Sequence, residues 1–279
     1  MTTTGSSTQL DQLVTRVRHG GVVVLSGAGL STESGIPDYR GPTGALRTNT
    51  PMTYQDFVSS SAGRHRYWAR SFLGWAQMAQ ARPNAGHVAV AQLQGLGLLD
   101  GIITQNVDGL HQAAGAHNVI ELHGGLDLVV CLTCGKRESR PSLDVRLREL
   151  NPDFHARATR VNPDGDAEIT DDQLDGFVMA RCRHCDSDLV KPDVVFFGEN
   201  VPKPRVEACY ALVENARCLL VLGSSLTVMS GLRFVRRAAK LGIDVTIVNQ
   251  GPTRGDPLAD LKLEVPLGVA LTETVAALT

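Results

Sequence analysis

Short apolar runs recur along this chain of 279 residues, and stretches with helical periodicity separate them. Each run is continuous and not alternating, which is typical of strands buried on both faces of a parallel sheet. The predicted strands cover residues 22–25, 101–104, 119–122, 218–222 and 245–248. The predicted helices cover residues 10–19, 87–96, 205–215 and 231–241. This alternation predicts an α/β fold built on a Rossmann-like, doubly wound parallel sheet.

Two stretches interrupt the alternation and predict additional lobes. Residues 42–83 carry most of the aromatic side chains and are predicted to form a helical lobe inserted into the main domain. Residues 131–192 contain two close cysteine pairs and are predicted to form a small zinc-binding module. The Rossmann-like domain then comprises residues 10–130 and 193–279. Residues 1–9 are rich in Ser and Thr and are expected to be a flexible tail.

The cysteine spacing favours a metal site. The two pairs are Cys131-x-x-Cys134 and Cys182-x-x-Cys185. Four thiolates in two close pairs suit a tetrahedral Zn²⁺ ion, and four protein ligands leave no open position for a substrate. We therefore predict one structural zinc ion. The two other cysteines, Cys209 and Cys218, have apolar neighbours and are predicted to be buried core residues.

Charge and hydropathy exclude several classes of partner. Lys and Arg number 27 and Asp and Glu 29, so the formal charge of −2 favours neither nucleic acid nor a membrane surface. No apolar run approaches the roughly 18 to 20 residues that a membrane-spanning helix needs. The N-terminal residues lack the cationic and apolar regions of a signal peptide. We therefore expect a cytoplasmic protein, or a mitochondrial matrix protein if the source is eukaryotic, without disulfides.

A glycine-rich loop, residues 26–31 (SGAGLS), directly follows the first predicted strand. Glycine lets backbone amides approach a phosphate, and a helix beginning after the loop would add a favourable dipole. Such a turn also closes strands for purely local reasons, so the loop alone leaves both interpretations open. The third glycine of the dinucleotide fingerprint is replaced by Thr32, and no acidic residue stands near positions 45–50 to bind a ribose. Hydride transfer is therefore disfavoured.

Four more polar segments follow or flank predicted strand ends. They are residues 35–41 (GIPDYRG), 104–111 (TQNVDGLH), 223–225 (GSS) and 249–251 (NQG). Any one of them could be a turn or a cap. Open α/β sheets, however, bind their ligands at the carboxyl ends of the strands, and all five segments are predicted to meet there. The sequence therefore predicts a ligand site at this edge.

Together these segments resemble the sirtuin family. The matching motifs are residues 27–40 (GAGLSTESGIPDYR), 104–108 (TQNVD), 121–124 (ELHG), 191–199 (KPDVVFFGE), 223–225 (GSS) and the cysteine pairs. Their order and spacing match from about residue 10 to the C-terminus. Three further segments resemble the class II branch, which includes a mitochondrial enzyme and many bacterial ones. They are residues 66–70 (RYWAR), 163–166 (PDGD) and 251–254 (GPTR).

The resemblance implies an enzyme that removes acyl groups from lysine side chains of proteins or peptides. It would consume NAD as a co-substrate and release nicotinamide and O-acyl-ADP-ribose. The acyl oxygen would attack C1′ of the nicotinamide ribose, and His123 would then act as general base on the ribose hydroxyls. Imidazole suits this task because its unperturbed pKa lies near the working pH. Asn106 and Asp108 would position the ribose and the carboxamide, which makes them the other two residues implied in catalysis.

The resemblance also implies a set of binding residues. Those implied to bind NAD are Gly27, Ala28, Gly29, Ser31, Ile36, Asp38, Tyr39, Arg40, Gln105, Asn106, Val107, Asp108, Gly223, Ser224, Ser225, Asn249, Gln250, Gly251 and Leu267. Those implied to bind the substrate peptide, by backbone hydrogen bonds along an extended groove, are Val195, Phe196, Phe197, Gly198 and Glu199. His87 and His111 are predicted to be capping residues, and His184 is expected to lie outside the zinc site.

The sequence leaves open which acyl chain the enzyme removes. Tyr67 and Arg70 resemble the Tyr-x-x-Arg pair of relatives that accept succinyl or malonyl lysine, and a guanidinium would suit such a carboxylate. The pair lies about one helical turn from the expected position, so an ordinary helix face is an equal alternative. Tyr39 stands where many relatives carry Phe. Two alternative functions also stay open: mono-ADP-ribosylation of proteins with the same NAD pocket, and a non-catalytic NAD-sensing or interaction module.

Overall fold

The computed structural model describes residues 4–39, 51–156, 160–170 and 174–279. Its main element is a parallel sheet of six strands. They are β1 (Val22–Ser26), β2 (Leu99–Thr104), β3 (Val119–Glu121), β9 (Cys218–Leu222), β10 (Asp244–Val248) and β11 (Leu261–Leu263). The spatial order is β11-β10-β9-β1-β2-β3, and every neighbouring pair is parallel. The order reverses between β1 and β9, which places the topological switch point of the doubly wound fold there.

Helices cover both faces of this sheet. Helices α1 (Thr4–Arg18), α4 (Ala85–Gly95) and α9 (Leu267–Ala276) lie on one face, and α7 (Lys203–Glu214) and α8 (Met229–Leu241) lie on the other. In β1, Val22 and Val24 pack into the first core and Val23 and Leu25 into the second, and all four are fully buried. Each such side chain contributes about 1.5–3 kcal/mol by leaving water. Burial on both faces thus explains why the strand is apolar throughout.

The five predicted strands and four predicted helices are present, but their bounds differ. Helix α1 begins at Thr4, so residues 4–9, predicted as part of a flexible tail, are helical, and residues 1–3 lie outside the described residues. The first residues of this helix are Thr, Gly and Ser, whose low helix propensity gives no signal in the sequence. Strand β11 and helix α9 are additional to the predicted elements. Cys209 and Cys218 are buried, as predicted.

A second, antiparallel sheet carries the cysteine pairs. Its strands are β4 (Gly124–Cys131), β5 (Arg137–Ser139) and β8 (Val190–Val194), in the order β5-β4-β8. Helix α5 (Leu110–Ala113) precedes it, helix α6 (Arg140–Leu150) follows β5, and β6 (Arg160–Val161) and β7 (Ala167–Glu168) form a hairpin. The sheet runs from Gly124 to Val194 and so extends beyond the predicted bounds of 131 and 192. The polar insert at 162–166 is the turn of the hairpin, as predicted.

The helical lobe and the cysteine-bearing sheet share one core. Helices α2 (Tyr54–Ser59) and α3 (Ser61–Gln80) form the described part of that lobe, and residues 42–50 of the prediction lie outside the described residues. Trp68 of α3 is 2% exposed, and its indole N–H donates to the carbonyl of Val190 in β8 at 2.9 Å. The two predicted lobes are therefore packed together as one unit. No helix within the described ranges is both long and apolar enough to cross a bilayer.

Candidate active site

The four paired cysteines meet in the unit formed by α2, α3 and the cysteine-bearing antiparallel sheet with its hairpin, which we call the small lobe. Their Sγ atoms all lie within 4.8 Å of one another. The Sγ–Sγ distance is 3.6 Å between Cys131 and Cys185 and 3.7 Å between Cys134 and Cys182. In a tetrahedral site with Zn–S bonds of about 2.3 Å, ligand sulfurs stand about 3.8 Å apart. The cluster therefore has the donor atoms and the size that Zn²⁺ requires.

Two matching turns hold these thiols. The N–H of Cys131 donates to the carbonyl of Lys136, and its own carbonyl accepts from Gly135. The N–H of Cys182 donates in the same way to Ser187, and its carbonyl accepts from Asp186. Because both turns aim their cysteines at a common centre, backbone geometry preorganises the site. His184 is exposed and is not part of the cluster, as predicted.

A cleft of about 1200 Å³ lies between the carboxyl edge of the parallel sheet and the small lobe. It contains every described residue that the sequence predicts for the nucleotide, the peptide and catalysis. They are Gly27, Ala28, Gly29, Ser31, Ile36, Asp38, Tyr39, Gln105, Asn106, Val107, Asp108, His123, Val195, Phe196, Phe197, Gly198, Glu199, Gly223, Ser224, Ser225, Asn249, Gln250, Gly251 and Leu267. Arg40 lies outside the described residues. None of the four cysteines lines the cleft, which fits a structural role for their metal.

The glycine loop packs tightly against the loop after β9, at the switch point. A Cβ on Gly27 would lie 2.8 Å from Cβ of Ser224, and a Cβ on Gly29 would lie 2.8 Å from the carbonyl oxygen of Gly223. The N–H of Gly29 donates to that oxygen at 2.8 Å. One three-residue 3₁₀ turn, Ala28–Leu30, lies within the loop, and a second, Thr32–Ser34, follows it, so the expectation of a helix dipole directly after the loop is wrong. Glycine here permits close approach of the two backbones. Because these glycines have no side chains, space beside the two loops is left for a nucleotide.

A chain of hydrogen bonds fixes the polar side chains after β2. The side-chain amide of Asn106 donates to the Gly27 carbonyl at 3.1 Å and to Ser31 Oγ at 3.0 Å. Ser31 Oγ in turn donates to Asp108 Oδ2 at 2.7 Å, while Asp108 Oδ1 accepts from the N–H of Leu110. With both amide protons of Asn106 donated within the protein, its Oδ1 is the group left to accept from a ligand.

His123 lies between the end of β3 and the start of β4. Its Nδ1 is 2.9 Å from the carbonyl oxygen of Gln105, and its Nε2 is 2.9 Å from Oγ of Ser230. A carbonyl can only accept, so Nδ1 carries the proton and Nε2 has the lone pair. Burial lowers the pKa of His123; the bond to Gln105 opposes this shift, and the positive charges of Arg205 and Arg233 add to it. The imidazole is therefore neutral and basic at Nε2 at neutral pH.

The segment after β8 forms one wall of the cleft. The N–H of Val195 donates to the carbonyl of His123 at 2.7 Å, which joins this wall to the histidine. The carbonyl of Phe197 accepts from the N–H of Tyr54, and the N–H of Phe196 donates to Glu199 Oε2. Phe197 is 39% exposed and packs edge-on against Tyr39. The wall is thus held by α2 and by His123, which precedes β4, while its outer side stays accessible.

The small lobe adds residues to the cleft beyond those predicted for NAD, peptide and catalysis. Tyr67, Asp164 and Asp166 line the cleft. Burial and the two carboxylates raise the pKa of Tyr67, and burial together with Asp164 raises the pKa of Asp166 to about 8, against the effect of Arg70. The guanidinium of Arg70 lies 2.9 Å from Asp166 Oδ2 and donates to the Ala167 carbonyl. The cleft therefore receives Tyr67 of the proposed Tyr-x-x-Arg pair, while Arg70 is bound to the hairpin.

The two histidines behind the cleft differ from each other. His87 forms a capping box with Asn84 at the start of α4, as predicted. The capping role predicted for His111 is wrong, because its Nε2 lies 2.9 Å from Oγ of Ser26, which donates to Thr104 Oγ1. Burial lowers the pKa of His111 to about 3, and His87 contributes. His111 is therefore a neutral member of a buried polar network under the loops of the site.

The family model, the similar sequences and the similar solved structures all match the same family. The model of the Sir2 family matches residues 27–230. The chain is 60% identical over 270 residues to NAD-dependent protein deacetylase 1 of Streptomyces coelicolor, covering 97% of this chain and 90% of the relative.

A similarly named deacetylase of Corynebacterium efficiens is 47% identical over 273 residues, covering 96% of this chain and 97% of the relative. A solved complex of Sir2 with a p53 peptide and NAD⁺ superposes with a TM-score of 0.77 at 30% identity, covering 96% of this chain and 98% of that one. With this coverage and identity, the chain belongs to the Sir2 family.

Proposed function

We propose that this protein removes acyl groups from lysine side chains of proteins and consumes NAD in doing so. The observation that carries the proposal is the placement of His123, whose basic Nε2 lies in the cleft that holds both the glycine loops and the accessible wall after β8. The relatives described as NAD-dependent protein deacetylases support the same activity.

The loops at the switch point would hold NAD. Gly27, Ala28 and Gly29 after β1 face Gly223 and Ser224 after β9, and their close packing presents backbone amides where phosphates would bind. The residues after β10, Asn249 to Gly251, and Leu267 at the start of α9 line the same end of the cleft, which would receive the adenosine. When bound, NAD supplies the ribose carbon that receives the acyl oxygen.

Asn106 and Asp108 would orient the ribose and the carboxamide. Oδ1 of Asn106 can accept a hydrogen bond from a hydroxyl or an amide, and the link through Ser31 keeps this oxygen and the Asp108 carboxylate in a fixed relation. Ile36 and Val107 provide apolar walls beside them. A rigid arrangement of this kind reduces the entropy lost on reaching a reactive geometry.

His123 would act as the general base. Its Nε2 would take the proton of a ribose hydroxyl, and the electron pair of that O–H bond would stay on the oxygen, which then attacks the acyl carbon. The Gln105 carbonyl stabilises the positive charge that develops on the ring, because it accepts from Nδ1–H throughout. This role accounts for the neutral state that burial imposes.

An acylated lysine in an extended protein segment would bind along the wall formed by residues 195–199. Thr227, Val228 and Met229 also line the cleft, and we infer that an extended peptide would lie between this segment and residues 195–199. The Sir2 complex that contains a p53 peptide supports this type of partner.

We also propose that this activity takes place in the cytoplasm. Separately, we assign the chain to the class II branch, which the motifs at 66–70, 163–166 and 251–254 support.

One structural Zn²⁺ would be held by the four clustered cysteines. The ion would only hold the two turns together, because four protein ligands leave no open position for a substrate.

Substitution of His123 with alanine tests the proposal. Incubation of the purified chain with NAD and an acetyl-lysine peptide should yield deacetylated peptide, nicotinamide and O-acetyl-ADP-ribose by mass spectrometry. Loss of a general base typically costs 10²- to 10⁴-fold, so turnover of His123→Ala should fall by about that factor while NAD binding is kept. His19→Ala, at an exposed histidine outside both the cleft and the cysteine turns, is the matched control and should retain full activity.

Full turnover by His123→Ala would refute the assignment of the base. Formation of protein-linked ADP-ribose in place of O-acetyl-ADP-ribose would favour the ADP-ribosyltransferase alternative. A panel of acetyl, propionyl, succinyl and malonyl peptides would establish the preferred acyl group, which Tyr67 and the carboxylates of the hairpin are placed to influence.

A further inference from the structure

Ser230 makes a contact that the predicted mechanism does not use. Its Oγ lies 2.9 Å from Nε2 of His123, the atom that would accept the proton of the ribose hydroxyl. The two residues are 107 positions apart in the sequence, and both line the cleft. Because Nδ1 already donates to Gln105, the contact with Ser230 gives the imidazole a second anchor on its opposite edge.

The position of Ser230 in helix α8 leaves its hydroxyl free for this contact. Serine at the N-cap position of a helix often accepts from a backbone N–H. Here Val228 is the N-cap residue, and no side chain caps this helix. The hydrogen bond of Ser230 is made to His123. The serine therefore serves the histidine and not the start of the helix.

The adjacent glycine brings the first turn of α8 against Gln105. A Cβ on Gly231 would lie 2.5 Å from Oε1 of Gln105. The side-chain amide of Gln105 is itself fixed, because its Nε2 donates to the carbonyl of Ser26 and to Ser224 Oγ. The backbone of Gln105 and the hydroxyl of Ser230 thus form a rigid frame around the two ring nitrogens.

We propose that Ser230 is a positioning residue that holds Nε2 of His123 toward the reacting ribose hydroxyl. This inference rests on the proposed function. In the free protein the Ser230 hydroxyl donates to the Nε2 lone pair. A ribose hydroxyl takes over this lone pair when the nucleotide binds. After the proton has moved from the ribose oxygen to Nε2, the new N–H donates to Ser230 Oγ, so the serine pairs with the ring before and after the transfer.

Two variants separate positioning from packing. Ser230→Ala removes the hydroxyl, and Ser230→Thr keeps it at the same place. Loss of one neutral hydrogen bond is expected to lower kcat for deacetylation about fivefold in Ser230→Ala, with the KM for NAD unchanged. Ser230→Thr should recover most of the wild-type kcat. Urea unfolding of each variant shows whether both are folded.

An independent readout does not need activity. In the free protein the ¹⁵N resonance of His123 Nε2 should move in Ser230→Ala and return toward its wild-type position in Ser230→Thr. An unmoved resonance together with a wild-type kcat in Ser230→Ala would overturn the proposal. A loss of kcat that threonine does not restore would assign Ser230 a packing role and would also overturn it. An inactive wild-type chain would refute the proposed function, and the resonance would still test the contact.

Discussion

The two backbones at the switch point are so close that a single methyl group on Gly29 should disturb the nucleotide site. Its Cβ would lie 2.8 Å from the carbonyl oxygen and 3.0 Å from Cα of Gly223. Both are backbone atoms, so no side-chain rotation relieves the contact. Gly223 has little room to retreat, since its own φ is +61° and a Cβ there would lie 2.5 Å from the N atom of Leu30. One of the two loops must move.

This geometry sets the expected magnitude. Overpacking by one methyl group in a dense site costs about 1–3 kcal/mol, so Gly29→Ala should lower the free energy of unfolding by that amount in urea titrations. The same displacement moves the amides that would hold the phosphates. If the displacement weakens the binding free energy of NAD by about 1.4 kcal/mol, the NAD affinity measured by calorimetry should fall about tenfold.

Gly95 provides the matched control. It ends helix α4, it is exposed, and a Cβ there has nothing within 4 Å. Gly95→Ala should therefore stabilise the protein by about 0.4–1 kcal/mol through the unfolded chain and leave NAD affinity unchanged. If Gly29→Ala bound NAD as tightly as the wild type, the contact between the two loops would have no part in shaping the site.

Three other perturbations have defined outcomes. Removal of zinc by a strong chelator, or Cys134→Ser, should lower Tm in a thermal melt and reduce the zinc content from one ion per chain; an unchanged Tm would contradict a structural metal. Because the pKa of His111 is lowered to about 3 in the folded state and lies near 6.5 when unfolded, its contribution to stability is complete above pH 6.5 and falls by up to about 1.4 kcal/mol per pH unit below it. The raised pKa of Asp166 acts in the opposite direction over the same range, so urea titrations at pH 7.5 and 5.5 compare the wild type with His111→Asn. A pH dependence that the substitution leaves unchanged would refute the His111 contribution. Arg140→Ala removes a guanidinium that is 2% exposed, lies 3.4 Å from Asp144 and donates to the Ser71 carbonyl. Asp144 keeps its 2.8 Å pair with Arg148, so the variant should lose about 1–3 kcal/mol in urea; an unchanged free energy of unfolding would show that Arg148 alone satisfies the carboxylate.

The elements that the sequence predicts correctly are those whose signal is local. Strands β1 and β9 are buried at every residue, and such burial requires an uninterrupted apolar run that periodicity detects. The polar segments after these strands meet at one edge because parallel strands share their direction. The cysteine turns are equally local, since each spans only a few residues around its own hydrogen bonds.

The elements that escape prediction depend on contacts between distant residues. Ser230 reaches His123 across 107 positions, and nothing beside either residue in the sequence signals the pairing. Asp166 belongs to an insert whose composition indicates turns but not the element against which it packs. The 3₁₀ turns within and directly after the glycine loop also escape prediction, because glycines that favour phosphate binding do not determine the conformation of the residues beside them.

The packing of the small lobe predicts that a metal bound outside the cleft influences turnover within it. Cys131 and Cys182 belong to the core that also holds Trp68, and Phe196 packs against this core. Phe196 packs against a second cluster as well, which contains Ile36 together with Val161 and Ala167 of the β6–β7 hairpin. Since Phe196 also lines the cleft, a loosened cysteine cluster has a continuous apolar path to the wall that would hold the acyl-lysine. Loss of zinc should therefore reduce turnover of the acetyl peptide more than it weakens NAD binding at the switch point.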